Sequence, residues 1–175
     1  IKKLEAKGHF PSGPLRGYKT DAWEGGHRVP FIARWPKVIR PRSVCDQLVQ
    51  QADLMATFAE ILKIKLPDNA GEDSFSLLPL FKGEVQPTRE NAVSTSSGGI
   101  PAVRKGPWKY IPERAPGDST PVQLYNLADD LSEKKNLAAS MPARVTEMKA
   151  LLERLISDGR STPGTQQRND VEVVR

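Results

Sequence analysis

The chain of 175 residues carries one cysteine, Cys45, so no disulfide can form within it. Its two histidines, His9 and His27, are too few to make a metal set of their own. Aromatic residues are scarce, at 6%. No apolar run approaches the roughly 20 residues that a membrane helix needs, so no membrane partner is expected. Zinc-finger spacing, an RNP-like motif and a basic helix interleaved with aromatics are all missing, and no nucleic-acid partner is expected either. Asp68, Asn69, Glu72 and Asp73 lack the spacing of an EF-hand loop, so this stretch reads as a turn. The opening Ile1-Lys2-Lys3-Leu4-Glu5 has no apolar centre of a signal peptide. It also begins without Met, and a natural start further upstream is expected.

What remains is a globular composition. Hydrophobic residues make up 38%, enough to fill a core. Fifteen prolines and thirteen glycines lie between apolar periodic segments, which indicates many loops and not disorder. The net charge of +5 is unevenly placed: residues 1–50 hold ten Lys/Arg against four Asp/Glu, and the rest hold sixteen against seventeen. A local positive field of this kind attracts anions.

Apolar periodicity predicts the elements. Residues 1–7 read as the end of a helix that Gly8 stops. Residues 8–27, with five glycines and two prolines, read as loop. Val29 to Trp35 reads as a buried strand, which needs neighbours this chain does not obviously supply. Lys37 to Arg42 is a basic connector, and Leu48-Val49 a short extended piece. Asp53 to Lys63 reads as a helix capped by Asp53, with Leu54, Phe58, Ile61 and Leu62 on its apolar face. Ser76 to Phe81 is an apolar turn or helical piece ending at Gly83.

Four strands are then expected at 92–96, 102–104, 108–111 and 122–126, separated by turns at Gly98-Gly99, Lys105-Gly106-Pro107 and Pro116-Gly117-Asp118. Trp108 and Tyr110 alternate with Lys109, as on a sheet covered on one face. A last helix is expected from Met141 to Asp158. Val145, Met148, Leu152 and Leu155 share one face of it, and Gly159 stops it. Ser161 to Arg175 reads as a polar, frayed tail.

The stretch with most chemistry is Leu15-Arg16-Gly17-Tyr18-Lys19 followed by Glu24-Gly25-Gly26-His27-Arg28-Val29-Pro30. It sets Lys19 in a turn-rich loop, where an ammonium is a compact point charge for an anion. Arg16 and Arg28 could also bind an anion, and His9 and His27 could reach substrate. A structural role is the stronger reading for both arginines, Arg28 bonding carbonyls or a carboxylate such as Glu24. For His27 it is a packed or strand-edge position.

This stretch closely resembles the sulfatase segment Leu-Arg-Gly-x-Lys…Glu-Gly-Gly-x-Arg-Val-Pro. Three further motifs follow in order. Leu77-Leu78-Pro79-Leu80-Phe81-Lys82-Gly83 resembles a family turn. Ala102-Val103-Arg104-Lys105-Gly106-Pro107-Trp108-Lys109-Tyr110-Ile111 resembles a family hairpin. Leu124-Tyr125-Asn126-Leu127, with Asp130 and Glu133 to Ala138, resembles the family's ending, with Leu131 in place of the usual Pro.

The resemblance implies a fold that runs from α/β to α+β. Residues 1–65 would close an alkaline-phosphatase-like α/β domain. Residues 66–160 would form a small four-stranded antiparallel sheet packed by the C-terminal helix, and 161–175 the tail. It implies a sulfuric ester hydrolase in which Lys19 contacts the sulfate of a sulfate ester, possibly a sulfated polysaccharide, with Arg16 and His27 as further substrate-binding candidates. The loop from Ser94 to Gly99 would approach the pocket rim.

Calcium and formylglycine are implied for the full-length enzyme and none for this piece. Cys45 is followed by Asp46-Gln47-Leu48, not the Cys/Ser-x-Pro-x-Arg context of a formylglycine precursor. The missing N-terminal part of the same enzyme is thus the expected partner, the piece alone is expected to be inactive, and a periplasmic or extracellular location is implied. The alternatives are a non-catalytic basic module that binds sulfated glycans, or a phosphate or phosphonate ester hydrolase of the same superfamily.

Overall fold

The computed structural model describes residues 2–113, 121–171 and 173. Their elements, in chain order, are α1 (Lys2–Glu5), α2 (Glu24–His27), α3 (Asp53–Ile61), α4 (Leu78–Phe81), β1 (Asn91–Thr95), β2 (Pro101–Lys105), β3 (Trp108–Ile111), β4 (Gln123–Asn126) and α5 (Pro142–Asp158). They fall into two compact units. One holds the described residues of Ile1–Val29, Val93–Leu152 and Val173–Arg175, the other those of Pro30–Ala92 and Glu153–Glu172.

The expected four-stranded sheet is present, in the order β1-β2-β3-β4. Gly106 takes the positive φ (+55°) that a two-residue hairpin turn requires, and β2 pairs antiparallel with β3, Arg104 opposite Lys109. The β3–β4 ladder is also antiparallel, with Lys109 opposite Tyr125. The turn expected at Pro116-Gly117-Asp118 lies outside the described residues. Ala22, Ala102, Ile111, Tyr125 and Leu127 form a buried cluster, with Trp23 and Ile100 against it.

In α5, Met148, Leu151 and Leu152 are buried. The first half of this helix reaches the hairpin: Arg144 lies 5.1 Å over the Trp108 ring and Lys105 pairs with Glu147 at 3.7 Å. Lys109 departs from the one-sided reading of β3. It is as buried as Tyr110, because its charge finds partners on the face expected to be open.

In the second unit, Val29's successors break an expectation. Val29 to Trp35 is not a strand, and Ile32 is 91% exposed. A strand needs a neighbouring ladder, and among the described residues none pairs with this segment. Leu48-Val49 likewise forms no strand.

The helix expected over Asp53–Lys63 forms as α3, ending at Ile61, but it faces the other way. Asp53, Thr57 and Ala59 are buried, whereas Phe58 (56%) and Leu62 are exposed. Asp53 is a buried hub and not an exposed cap. Its carboxylate accepts the N–H groups of Gln50 (2.7 Å) and Phe75 (3.0 Å) and pairs with Arg89. Arg89 also donates to the Asp73 carbonyl at 2.6 Å and lies over the Phe75 ring. Thr57 donates to the Asp53 carbonyl (2.6 Å) and accepts from Leu77 N–H (2.8 Å). Polar specificity, not apolar periodicity, orients this helix.

Gly159 stops α5 at φ +62° as expected. The polar stretch after it is tied down, not frayed, as far as Asn169, which donates to the Ile156 carbonyl at 2.6 Å. Arg160 is buried and donates to Asp68, Thr162, Pro163 and Thr165, and Thr162 donates to the Glu72 carbonyl at 2.7 Å.

Candidate anion-binding site

The site lies within the first unit and is built on a tight turn. Asp21 N–H donates to the Tyr18 carbonyl, and the Asp21 carboxylate accepts Tyr18 N–H, both at 2.9 Å. Lys19 and Thr20 form the tip between them. Thr20 stands at φ +96°, a region that a β-branched residue adopts only when its surroundings hold it there. Ser97 N–H donates to the Thr20 carbonyl at 2.9 Å, so the 94–99 loop meets the Lys19 turn directly. The Tyr18 hydroxyl donates to Glu5 of α1. Lys19 itself is exposed and has no hydrogen-bond or ion-pair partner among the described residues.

The Glu-Gly-Gly-His stretch, expected as loop, forms the single helical turn α2 packed on this tip. Gly25 N–H donates to the Arg16 carbonyl at 2.7 Å. A Cβ on Gly25 would stand 2.6 Å from that oxygen, and one on Gly26 would stand 2.7 Å from the Asp21 carbonyl carbon. The two glycines are needed for close backbone approach on both sides of Lys19, and not for a positive φ.

Beside them lies a buried charge cluster. Glu24 is 1% exposed. Its carboxylate accepts from Lys109 Nζ at 3.0 Å and pairs with Arg28 at 3.3 Å, the carboxylate option of the two expected for Arg28. The Glu24 N–H donates to Glu133 Oε2 at 2.6 Å. Lys109 Nζ lies 2.9 Å from Glu133 Oε1, an ion pair without hydrogen-bond alignment. The third partner of Lys109 is His27 Nε2 at 3.1 Å. An ammonium only donates, so Nε2 accepts and the ring proton sits on Nδ1.

Burial sets the titration of these groups, modified by their neighbours. His27 is held below the ordinary histidine value by burial and then by the Lys109 charge. Its 3.6 Å approach to Glu24 is therefore not an ion pair near neutrality. Burial pushes the Glu24 carboxyl up, but Lys109, His27 and Arg104 together outweigh it, and the net shift is down. Glu133 goes the other way: burial, reinforced by Glu24, prevails over Lys109 and holds it above the usual carboxylate range.

The other candidates are committed elsewhere. Arg16 donates to the Tyr125 hydroxyl and the Glu133 carbonyl, both at 2.9 Å, and stacks 4.1 Å over Trp23. Trp23 in turn donates to Gln123 at 2.9 Å. His27 meets Lys109 through Nε2. Lys109 and Glu133 were not singled out from sequence; their signal was the Trp-Lys pair of the hairpin and the glutamate of the ending motif. No three His, Cys, Asp or Glu side chains among the described residues come together to hold a metal, and Cys45 is an exposed thiol.

A family model of N-sulphoglucosamine sulphohydrolase, C-terminal, matches residues 19–95 and so begins at Lys19. The N-acetylgalactosamine-6-O-sulfatase of Bacteroides thetaiotaomicron is 40% identical over 157 residues, 83% of this chain and 30% of that protein. The ulvan-active sulfatase of Formosa agariphila is 30% identical over 167 residues, 76% of this chain and 32% of that protein. A solved Bacteroides thetaiotaomicron structure, described within that organism's metabolism of multiple glycosaminoglycans, matches with a TM-score of 0.77 at 36% identity, over 87% of this chain and 34% of its own. The chain spans about a third of the length of these relatives. With the Lys19 turn, the Glu-Gly-Gly helical turn and the four-stranded sheet in place, the chain belongs to the sulfatase family and corresponds to the C-terminal portion of its alkaline-phosphatase-like members.

Proposed function

We propose that this chain contributes the sulfate-contacting cation, Lys19, to an enzyme that hydrolyses sulfate esters. The observation that carries this is an exposed, uncommitted ammonium at the tip of a turn braced by Ser97, Asp21 and the Gly25-Gly26 backbone. As the S–O bond of a sulfate ester breaks, negative charge builds on the bridging oxygen. A fixed cation there stabilises the transition state more than the ground state. The names of the relatives, an N-acetylgalactosamine-6-O-sulfatase and an ulvan-active sulfatase, support a sulfated glycan as the substrate.

Among the described residues no clustered donor set fits calcium, and the one cysteine, Cys45, lacks the Cys/Ser-x-Pro-x-Arg context; Ser12 and Ser140 stand in that five-residue pattern, but their hydroxyls donate to the Gly25 and Leu137 carbonyls. In this reading both come from the rest of the enzyme. The exposed apolar residues Phe31, Ile32, Phe58 and Leu62 support packing against further protein of the same enzyme. No observation favours the non-catalytic glycan-binding module or the phosphate ester hydrolase over it.

The test is to express the gene with its in-frame upstream sequence and to measure sulfate release from 6-O-sulfated N-acetylgalactosamine. Lys19→Ala is expected to lower turnover by about 10²–10³-fold, the loss typical of one transition-state charge stabiliser. The 175-residue chain alone is expected to release no sulfate. Full turnover by Lys19→Ala would remove Lys19 from the reaction, and sulfate release by the chain alone would overturn the division of labour.

A further inference from the structure

Lys19 is exposed on a turn whose tip residue, Thr20, sits in an unfavourable backbone region. Left to itself such a turn relaxes. We propose that Lys109 is a positioning residue for Lys19: it clamps Glu24 and Glu133 and so holds the α2 turn against the backbone on both sides of Lys19. The functional meaning of this rests on the sulfate-contacting role of Lys19 proposed above.

The connection runs through a few contacts. Lys109 is anchored in the sheet, with ladder partners Arg104 on one side and Tyr125 on the other. Its ammonium, with the side chain 2% exposed, meets the carboxylates of Glu24 at 3.0 Å and Glu133 at 2.9 Å. Glu133 uses its other oxygen to accept Glu24 N–H at 2.6 Å, so both the side chain and the backbone of Glu24 are held. Gly25 and Gly26 follow directly and press on Arg16, Gly17 and Asp21. Gly25 N–H bonds the Arg16 carbonyl, and Ser97 N–H secures Thr20 from the other side.

Burying two carboxylates and an ammonium gains little stability over an apolar filling of the same volume. What it adds is direction. An ammonium bonded to Glu24 and His27 and ion-paired with Glu133 fixes the placement of Glu24, and the glycines convert that placement into the position of the Lys19 tip. Lys109 is sealed from solvent, so its part is to orient and not to meet an anion.

Residue-resolved amide hydrogen exchange on this chain tests the proposal. In Lys109→Met the amides of Asp21, Gly25 and Ser97 are expected to exchange at least about tenfold faster, while those of Leu127 and Leu137 in the same unit keep their protection. Glu133→Ala leaves the Lys109–Glu24 pair charge-balanced, and serves where Lys109→Met does not fold. The same three amides should open. Unchanged exchange at those amides, or a parallel rise at all five, overturns the proposal.

In the whole enzyme, the Lys109→Met/Lys19→Ala double variant should turn over no more slowly than Lys19→Ala alone, because the clamp acts through Lys19. Multiplying losses would show that Lys109 acts on stability or elsewhere, and would also overturn it. If Lys19→Ala keeps full turnover, the sulfatase role of Lys19 fails, while the exchange result still decides whether Lys109 positions the turn.

Discussion

At the scale of single residues, Gly26 shows how small a group can decide the site. Any side chain there would drive a Cβ into the Asp21 carbonyl, and Asp21 closes the turn that carries Lys19. Gly26→Ala should therefore displace the turn and destabilise the first unit by about 1–3 kcal/mol, the usual cost of overpacking. Chemical unfolding measures the loss, and the amide shifts of Lys19 and Thr20 report the displacement. A variant with wild-type stability and unmoved shifts would mean that the approach is not tight. His27 makes a related point. Lys109 fixes its tautomer, so it serves as an acceptor for that buried ammonium.

At the scale of elements, α3 is a helix whose polar residues point inward. Asp53 and Thr57 are buried and hydrogen-bonded, while Phe58 stands in solvent. Two substitutions separate this arrangement from the one apolar periodicity suggests. Phe58→Ser should change the stability of this chain by no more than about 0.5 kcal/mol, as for an exposed position. Thr57→Val leaves the Leu77 N–H buried without its acceptor and should cost about 1–3 kcal/mol. A loss of about 3–5 kcal/mol at Phe58, typical of a truncated core aromatic, would reverse the assignment. The hairpin of β2 and β3 has the opposite character. Its turn chemistry and alternation are local, and it forms where the sequence indicates.

At the scale of the whole molecule, the buried cluster couples stability to pH. His27 has a folded-state pKa below its ordinary value of 6.5, so the unfolded chain binds its proton first. The stability it contributes is complete above pH 6.5 and is lost as pH falls through the folded value. Glu24, also lowered, adds a loss further down, from its ordinary 4.5 through its own folded value. Glu133 is raised, and protonation of the folded state there partly opposes both. Lys109, Glu24 and Arg104 are the charged groups that act on His27.

The His27 contribution to the denaturation midpoint is therefore lost as the pH drops below about 6.5, against the opposing contribution of Glu133. His27→Gln can still accept from Lys109, and should remove the loss of stability that the native chain shows, relative to this variant, as the pH falls below about 6.5. An unaltered slope in His27→Gln would place the titration on another group.

The sequence by itself determined the family, the four-stranded sheet, the final helix and the identity of Lys19 as the candidate cation. These depend on local features: alternation, 3.6-residue periodicity, turn glycines and short motifs, each readable within a few consecutive residues. Tertiary structure decided the partners of that lysine's turn. Glu24 and Lys109 are 85 residues apart in the chain, and Glu24 and Glu133 109, so nothing local marks them as one cluster. It also decided which face of α3 is inward, because Asp53 and Thr57 gain more from Arg89, Phe75 and Leu77 than apolar periodicity can foretell. Val29 to Trp35 has a strand's composition and no ladder among the described residues, since pairing belongs to a neighbour and not to the segment.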